Sequence, residues 1–323
     1  MKADALPRCA VLGSGTMGAQ VALSLALGGA SVSLWGRRAE GLEDARARVD
    51  EAFEFLANSG LADINEKAGV LGRVTFERNM SDAVSSAGFV IEAVAEELHV
   101  KQTVLQAAEA HVGLDAILSS TTSALSPTAV QSALKCPTAF CVAHYAQPAH
   151  LVALVEVVPG EQTAAKTTQF VTQLLEATGK TPVLCPDIPG FLWARIQHAV
   201  LREFASLVGK GLVTPGACDT ILKQGYAARL PAMGAFEHAD LAGLDLLNGA
   251  AAKAVWADLS TVGDPDDTPV GALFRDGKLG MKSGAGFYDW KARDAEAFKR
   301  ARDEEIVRRV KIQKGADVTL AQR

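Results

Sequence analysis

Arg8-Cys9-Ala10-Val11-Leu12, followed at once by Gly13-Ser14-Gly15-Thr16-Met17-Gly18, decides the fold of this chain. The apolar run reads as a buried strand, and Thr16 to Leu27 reads as the helix that follows it. A G-x-G-x-x-G turn between a strand and a helix has a mechanical meaning. Gly13 permits the tight turn, Gly15 lets backbone approach a pyrophosphate, and Gly18 lets helix and strand pack closely. The first helical turn then offers free N–H groups to an anion. The unit predicts a dinucleotide-binding loop, with Ser14, Thr16 and Met17 among its contacts. The competing reading is a glycine-rich turn that binds nothing.

The next strand of such a unit should end, about 20 residues beyond the turn, in an acid that grips the adenosine ribose. Ser31-Val32-Ser33-Leu34-Trp35 is that strand, and it ends in Gly36-Arg37-Arg38 with no carboxylate. A missing acid removes repulsion against a 2′-phosphate, and two guanidinium groups suit that phosphate. The expected cofactor is therefore NADP(H). The alternative is NAD(H), with both arginines solvated at a helix start and Glu40 reaching the ribose.

At 323 residues the chain has room for two domains. It is 49% hydrophobic and 21% charged, as an ordinary globular enzyme is. A net charge of −5 argues against nucleic acid or an anionic membrane as partner. No apolar run is long enough to span a membrane. Met1-Lys2-Ala3-Asp4 leads into the first strand and leaves no space for a signal peptide. The five cysteines, Cys9, Cys136, Cys141, Cys185 and Cys218, form no metal-spaced pair. An odd number without an export signal suggests reduced thiols in the cytoplasm.

Strand and helix patterns alternate through about residue 186. Further strands are expected at Val74–Phe76, Phe89–Ala93, Ala116–Ser120, Phe140–His144, Leu154–Val158 and Pro182–Cys185. Helices are expected at 42–56, 98–110, from Ser126-Pro127, and at 164–177. The alternation predicts an α/β fold, a doubly wound and mostly parallel sheet. After Pro186-Asp187-Ile188-Pro189-Gly190 the strand signals stop, and Phe191–Lys210 and Ala239–Leu259 read as helices. The expected division is a dinucleotide-binding domain at 1–187 and an all-α domain at 188–290. A charged helical tail, a solvated face or subunit contact, occupies 291–323.

Oxidising an alcohol by hydride transfer needs a base for the hydroxyl proton, and histidine suits it because its pKa lies near neutral. Of six histidines, His99, His111 and His198 fall within helix patterns, His150 lies in a loop, and His238 follows Glu237 without a clear place. His144 ends a strand, and ligands bind beyond the carboxyl ends of strands in such sheets. Glu156 sits amid apolar neighbours in the next strand and must find a partner. The imidazole is one such partner, and an ordinary salt bridge is the other.

From Cys9 to Trp290 the chain resembles the 3-hydroxyacyl-CoA dehydrogenase family, including its lambda-crystallin (L-gulonate 3-dehydrogenase) branch. The matching stretches are GSGTMG at Gly13–Gly18, EAVAEELHVK at Glu92–Lys101, SSTTSAL at Ser119–Leu125 and AHYAQP at Ala143–Pro148. LVEVVPG at Leu154–Gly160, PGFLWARIQHA at Pro189–Ala199 and GAGFYDW at Gly284–Trp290 complete the set. The resemblance implies a Rossmann-type domain followed by a helical domain that dimerises, hence a homodimer acting on a small molecule. It implies that His144 is the catalytic base/acid, Glu156 its carboxylate partner, and Ser123 the hydroxyl that holds the reacting oxygen. It places Glu96 and Lys101 along the nicotinamide half of the cofactor site.

Three positions depart from the family pattern. Gln147 replaces an asparagine beside cofactor and substrate and reaches one methylene further. Thr121 replaces another. Ala194 stands where a long helix presents an asparagine to the substrate oxygen, which removes a donor of a kind worth about 2.7–4 kcal/mol in comparable sites. Ala194 also leaves volume for a bulkier group. Arg46, Arg48 and Lys67 are the basic residues available between Ala39 and Arg73 for a CoA contact. The expected activity is interconversion of a 3-hydroxyacyl thioester, or a related 3-hydroxy acid, with its 3-keto form. The rivals are a free sugar acid or aromatic hydroxy compound as substrate, and a dinucleotide-binding crystallin-like or sensor protein without catalysis.

Overall fold

In the computed structural model, which describes residues 6–313 and 315, eight strands form one sheet. They are β1 (Cys9–Leu12), β2 (Val32–Trp35), β3 (Val74–Glu77), β4 (Phe89–Glu92), β5 (Ile117–Ser120), β6 (Phe140–Tyr145), β7 (Leu154–Pro159) and β8 (Thr181–Leu184). Each lies within one residue of the bounds expected from sequence. Their order is β3-β2-β1-β4-β5-β6-β7-β8. All neighbours pair in parallel except β6 and β7, which are antiparallel. Loop 146–153 joins those two and is too short for the crossover a parallel neighbour requires.

Helices cover both faces, as the alternating pattern demands. The helices α1 (Thr16–Leu27), α2 (Ala39–Asn58), α3 (Lys67–Leu71), α4 (Met80–Val84), α5 (Leu98–Glu109), α6 (Pro127–Gln131) and α7 (Ala165–Ala177) follow the strands. Side chains of β1 divide between two cores. Cys9 and Val11 join Leu23, Phe53 and Leu174 from α1, α2 and α7. Ala10 and Leu12 join Val84, Leu105 and Val130 from α4, α5 and α6. In β6 the same alternation sends Cys141, Ala143 and Tyr145 to the first core and Phe140 and Val142 to the second. His144 follows the parity of the second.

Beyond β8 the described chain has no further strand. The helix α8 (Trp193–Gly209) begins after the Pro186–Phe191 turn. The expected single helix over 239–259 is instead three, Ala235–Ala242, Leu244–Leu247 and Ala250–Asp258. Gly243, at φ 96°, breaks the first join, because that backbone cannot continue a right-handed helix. Contacts divide the chain into two units. One runs through Arg195 and resumes at Arg300, and the other is Ile196–Lys299. This division of contacts falls inside α8. The charged helix Ala295–Gln313 returns to the first unit, where Val307 is buried and Ile306 packs against the core. Met1–Ala5, to which the signal-peptide argument refers, and 316–323 lie outside the described residues. Among the described residues no helix is long and apolar enough to cross a membrane.

Candidate active site

The glycine turn shows a division of labour. Gly13 has φ 132°, and a Cβ there would lie 2.5 Å from the Ala93 carbonyl oxygen. A Cβ on Gly18 would lie 1.8 Å from the Gly13 carbonyl oxygen, so helix and turn touch through it. At Gly15 nothing lies within 4 Å of a Cβ, which leaves that face of the backbone open. Beside it is a cavity of about 500 Å³ lined by Gly13 to Met17, Trp35 to Arg38, Ala93 to Glu96, Thr121 and Ser123. An open glycine face at a helix N-terminus fits a pyrophosphate, so these residues fit a bound dinucleotide. Gly36 is held close to the loop, since a Cβ there would meet the Ser14 hydroxyl at 2.9 Å. Arg37 and Arg38 are exposed and line the cavity, whereas Glu40, in the first turn of α2, does not.

Glu96 lines the same cavity, and Lys101 lies directly behind it. Lys101 is 1% exposed, because a carboxylate waits for it inside. Its ammonium donates to Glu92 at 3.0 and 3.3 Å and lies 3.1 Å from Glu96. Glu92 is fully buried and also accepts from Ser120 Oγ and the Val94 amide. Glu96 Oε1 accepts from Thr122 Oγ1 and from the Ser123 amide. Partial burial pushes the Glu96 carboxyl up, but the Thr122 bond, the Lys101 charge and the Ser123 amide outweigh it. The result lies below the ordinary carboxylate range. Lys101 is therefore a buried strut behind Glu96, and Ser123 hangs on that strut through its backbone.

The antiparallel register sets His144 directly opposite Glu156, with Nδ1 and Oε2 2.7 Å apart. His144 is 7% exposed and Glu156 is buried. The other carboxylate oxygen, Oε1, accepts from the Leu192 amide at 2.8 Å and the Trp193 amide at 2.9 Å, with the Cys185 thiol at 3.5 Å. Burial works against charge on Glu156, but His144, the two amides and Cys185 outweigh it and hold the carboxyl below its ordinary value. An ionised carboxylate only accepts, so Nδ1 carries a hydrogen and Nε2 has the free lone pair. Phe191, buried and 5.8 Å from the imidazole between ring centroids, stands over the pair. Its φ of 47° is left-handed, at a cost of about 1–2 kcal/mol. Burying its ring, worth about 1.5–3 kcal/mol, offsets that cost.

Ser123 is exposed on the cavity wall, just past the carboxyl end of β5. Gln147 is exposed, and its side chain makes no hydrogen bond among the described residues. Ala194, in the first turn of α8, is partly exposed. His99, His111 and His198 are exposed, away from any such pairing with a buried acid. Sequence reasoning missed Glu92, Thr122, Cys185 and the α8 amides. Glu92 did leave a signal, a carboxylate ending the apolar strand Phe89-Val90-Ile91. The left-handed turn at Phe191 left none.

Residues 8–188 match the family model of the 3-hydroxyacyl-CoA dehydrogenase NAD binding domain, and residues 190–290 match that of its C-terminal domain. A 5-formyl-3-hydroxy-2-methylpyridine 4-carboxylate 5-dehydrogenase from Mesorhizobium japonicum is 33% identical over 306 residues, 93% of this chain and 97% of its own. A probable 3-hydroxybutyryl-CoA dehydrogenase from Deinococcus radiodurans is 33% identical over 285 residues, 87% of this chain and 99% of its own. The solved structure of a dehydrogenase of the first kind, described as an NAD+ dependent dismutase, superposes with a TM-score of 0.88 at 30% identity. That match covers 97% of this chain and 100% of the other.

Proposed function

The chain belongs to the 3-hydroxyacyl-CoA dehydrogenase family and is a nicotinamide-dinucleotide-dependent oxidoreductase, and on that premise we propose that it interconverts a 3-hydroxy compound and its 3-keto form with His144 as general base and acid. The observation that carries this reading is the buried 2.7 Å contact between His144 Nδ1 and Glu156. It leaves Nε2 to take the hydroxyl proton in oxidation, and to return it in reduction. Glu156 stabilises the imidazolium so formed. Ser123 holds the reacting oxygen, and Gln147 and Ala194 border the substrate. The Gly13–Gly18 loop would hold the pyrophosphate, with Glu96 on the nicotinamide side, and the bound ring supplies the hydride acceptor. Replacing His144 by Gln should lower kcat about a thousandfold, in the range general bases contribute, with cofactor affinity unchanged. Near-normal turnover in that variant overturns the assignment.

NADP(H) is the cofactor we favour over NAD(H). Two exposed arginines line the cavity where a ribose-binding acid would otherwise stand, and Glu40 stays outside it. A lower KM for NADP(H) than for NAD(H) supports this, and a strong preference for NAD(H) contradicts it.

A free carboxylic acid, not a CoA thioester, is a second reading with its own support. The basic residues that could meet CoA are engaged within the chain. Lys67 binds Asp50 and Glu54, Arg46 lies 4.2 Å over the Phe76 ring, and Arg48 donates to the Ser14 carbonyl. Turnover of thioesters set against free hydroxy acids, aromatic ones included, separates the two. A cytoplasmic homodimer completes the proposal. Large apolar side chains stand in water across Ile196–Lys299, among them Phe236 at 89% and Trp256 at 77% exposure, and such patches mark association surfaces.

A further inference from the structure

Glu156 receives four donors on two oxygens, and they are divided unequally. Oε2 serves His144 alone. Oε1 gathers the amides of Leu192 and Trp193, where α8 begins, and the thiol of Cys185. We propose that Cys185 is a positioning residue for the reaction: with the two amides it draws charge toward Oε1 and so sets how firmly Oε2 holds the His144 imidazolium. This rests on the reading of His144 as the base.

Cys185 reaches Glu156 by strand geometry. Its amide extends the β7–β8 pairing to the Val157 carbonyl, and its side chain joins the core on the His144 side of the sheet. Burial, with the Glu156 charge and hydrogen bond, pushes the thiol up to about 12, so it stays an S–H donor at any working pH. The Val183 carbonyl also lies 3.5 Å from Sγ, but an ionised carboxylate is the stronger acceptor. The titratable groups facing Glu156 are His144 from β6 and Cys185 from beyond β8; α8 contributes only amides. On the intervening turn, Asp187 is bonded to Ser126 and Thr128 and Phe191 presents an apolar ring, and the one charged side chain in the first turn of α8, Arg195, donates to the Pro189 carbonyl and not to Glu156. Removing a donor from Oε1 returns charge to Oε2 and raises the proton affinity of the imidazole. A base that grips its proton more firmly returns it less readily.

The test uses the full-length enzyme with isotope-labelled histidine. The His144 resonance is identified by its loss in His144→Gln, then titrated in the parent, Cys185→Ala and Cys185→Ser. The Ala variant should titrate about half a pH unit higher. The Ser variant, which keeps a donor, should titrate at or below the parent. Urea unfolding checks that the variants are folded, and Cys185→Val, which fills the site without a strong donor, carries the Ala expectation if Ala does not fold. Folded Ala and Ser variants that titrate with the parent overturn the proposal. The acid limb of kcat/KM against pH separates it from the reading beneath it. If the limb moves with the resonance, both stand. If the resonance moves alone, the role of Cys185 toward His144 stands and His144 is not the base.

Discussion

His150 and Lys101 are both ionisable residues taken out of water, and they reach opposite solutions. His150 stays neutral. Its Nδ1 is buried without a hydrogen-bond partner among the described residues, and burial, with Lys180 nearby, pulls it from 6.5 to about 4. Between those values the unfolded chain binds a proton that the folded chain refuses, so stability falls as pH drops from about 6.5 toward 4. The loss is at most about 3 kcal/mol. Urea midpoints at pH 7.5 and 4.5 should fall further apart in the parent than in His150→Gln. Lys101 stays paired, between Glu92 and Glu96. Lys101→Met should cost about 3–5 kcal/mol by urea unfolding, because it strands the buried Glu92 carboxylate. Replacing Glu92 by Leu as well should recover part of that. Single residues were legible where chemistry forces a location. His144 ends a strand and Glu156 interrupts an apolar one. The burial of Lys101 was not legible, because a lysine on a helix looks solvated until its buried partner is known.

At the scale of the element, the strand–turn–helix unit makes two glycines separable. Gly15→Ala places a methyl in open space, so stability should stay within about 0.5 kcal/mol of the parent. Its cofactor affinity should nevertheless fall tenfold or more, since the methyl stands on the face a pyrophosphate must approach. Gly18→Ala drives a Cβ into the Gly13 carbonyl and should cost about 1–3 kcal/mol besides affinity. Calorimetric binding set beside urea unfolding distinguishes the two, and equal stability losses would contradict the division of labour. Strands were readable because buried parallel strands are short apolar runs between breakers. The reversal of β7 is written in no single segment, although it is what faces Glu156 with His144. The helix expected over 239–259 failed for a local reason, the backbone of Gly243, which apolar periodicity does not weigh.

For the molecule as a whole, the Ile196–Lys299 unit buries few side chains and exposes many apolar ones. If a second copy covers them, light scattering gives twice the chain mass for the parent, and Trp256→Asp with Phe236→Asp shifts it toward the monomer. A monomeric parent contradicts the dimer. The alternation of strands and then helices was visible along the sequence, but the return of Ile306 and Val307 to the first unit was masked by the charge around them. What the intact enzyme does depends on one claim, that His144 and Glu156 act as a single proton-accepting unit. A double-mutant cycle of kcat tests it most directly. His144→Gln combined with Glu156→Gln should be about as slow as His144→Gln alone, because the acid works only through the imidazole. Independent losses that multiply in the double variant would contradict the account.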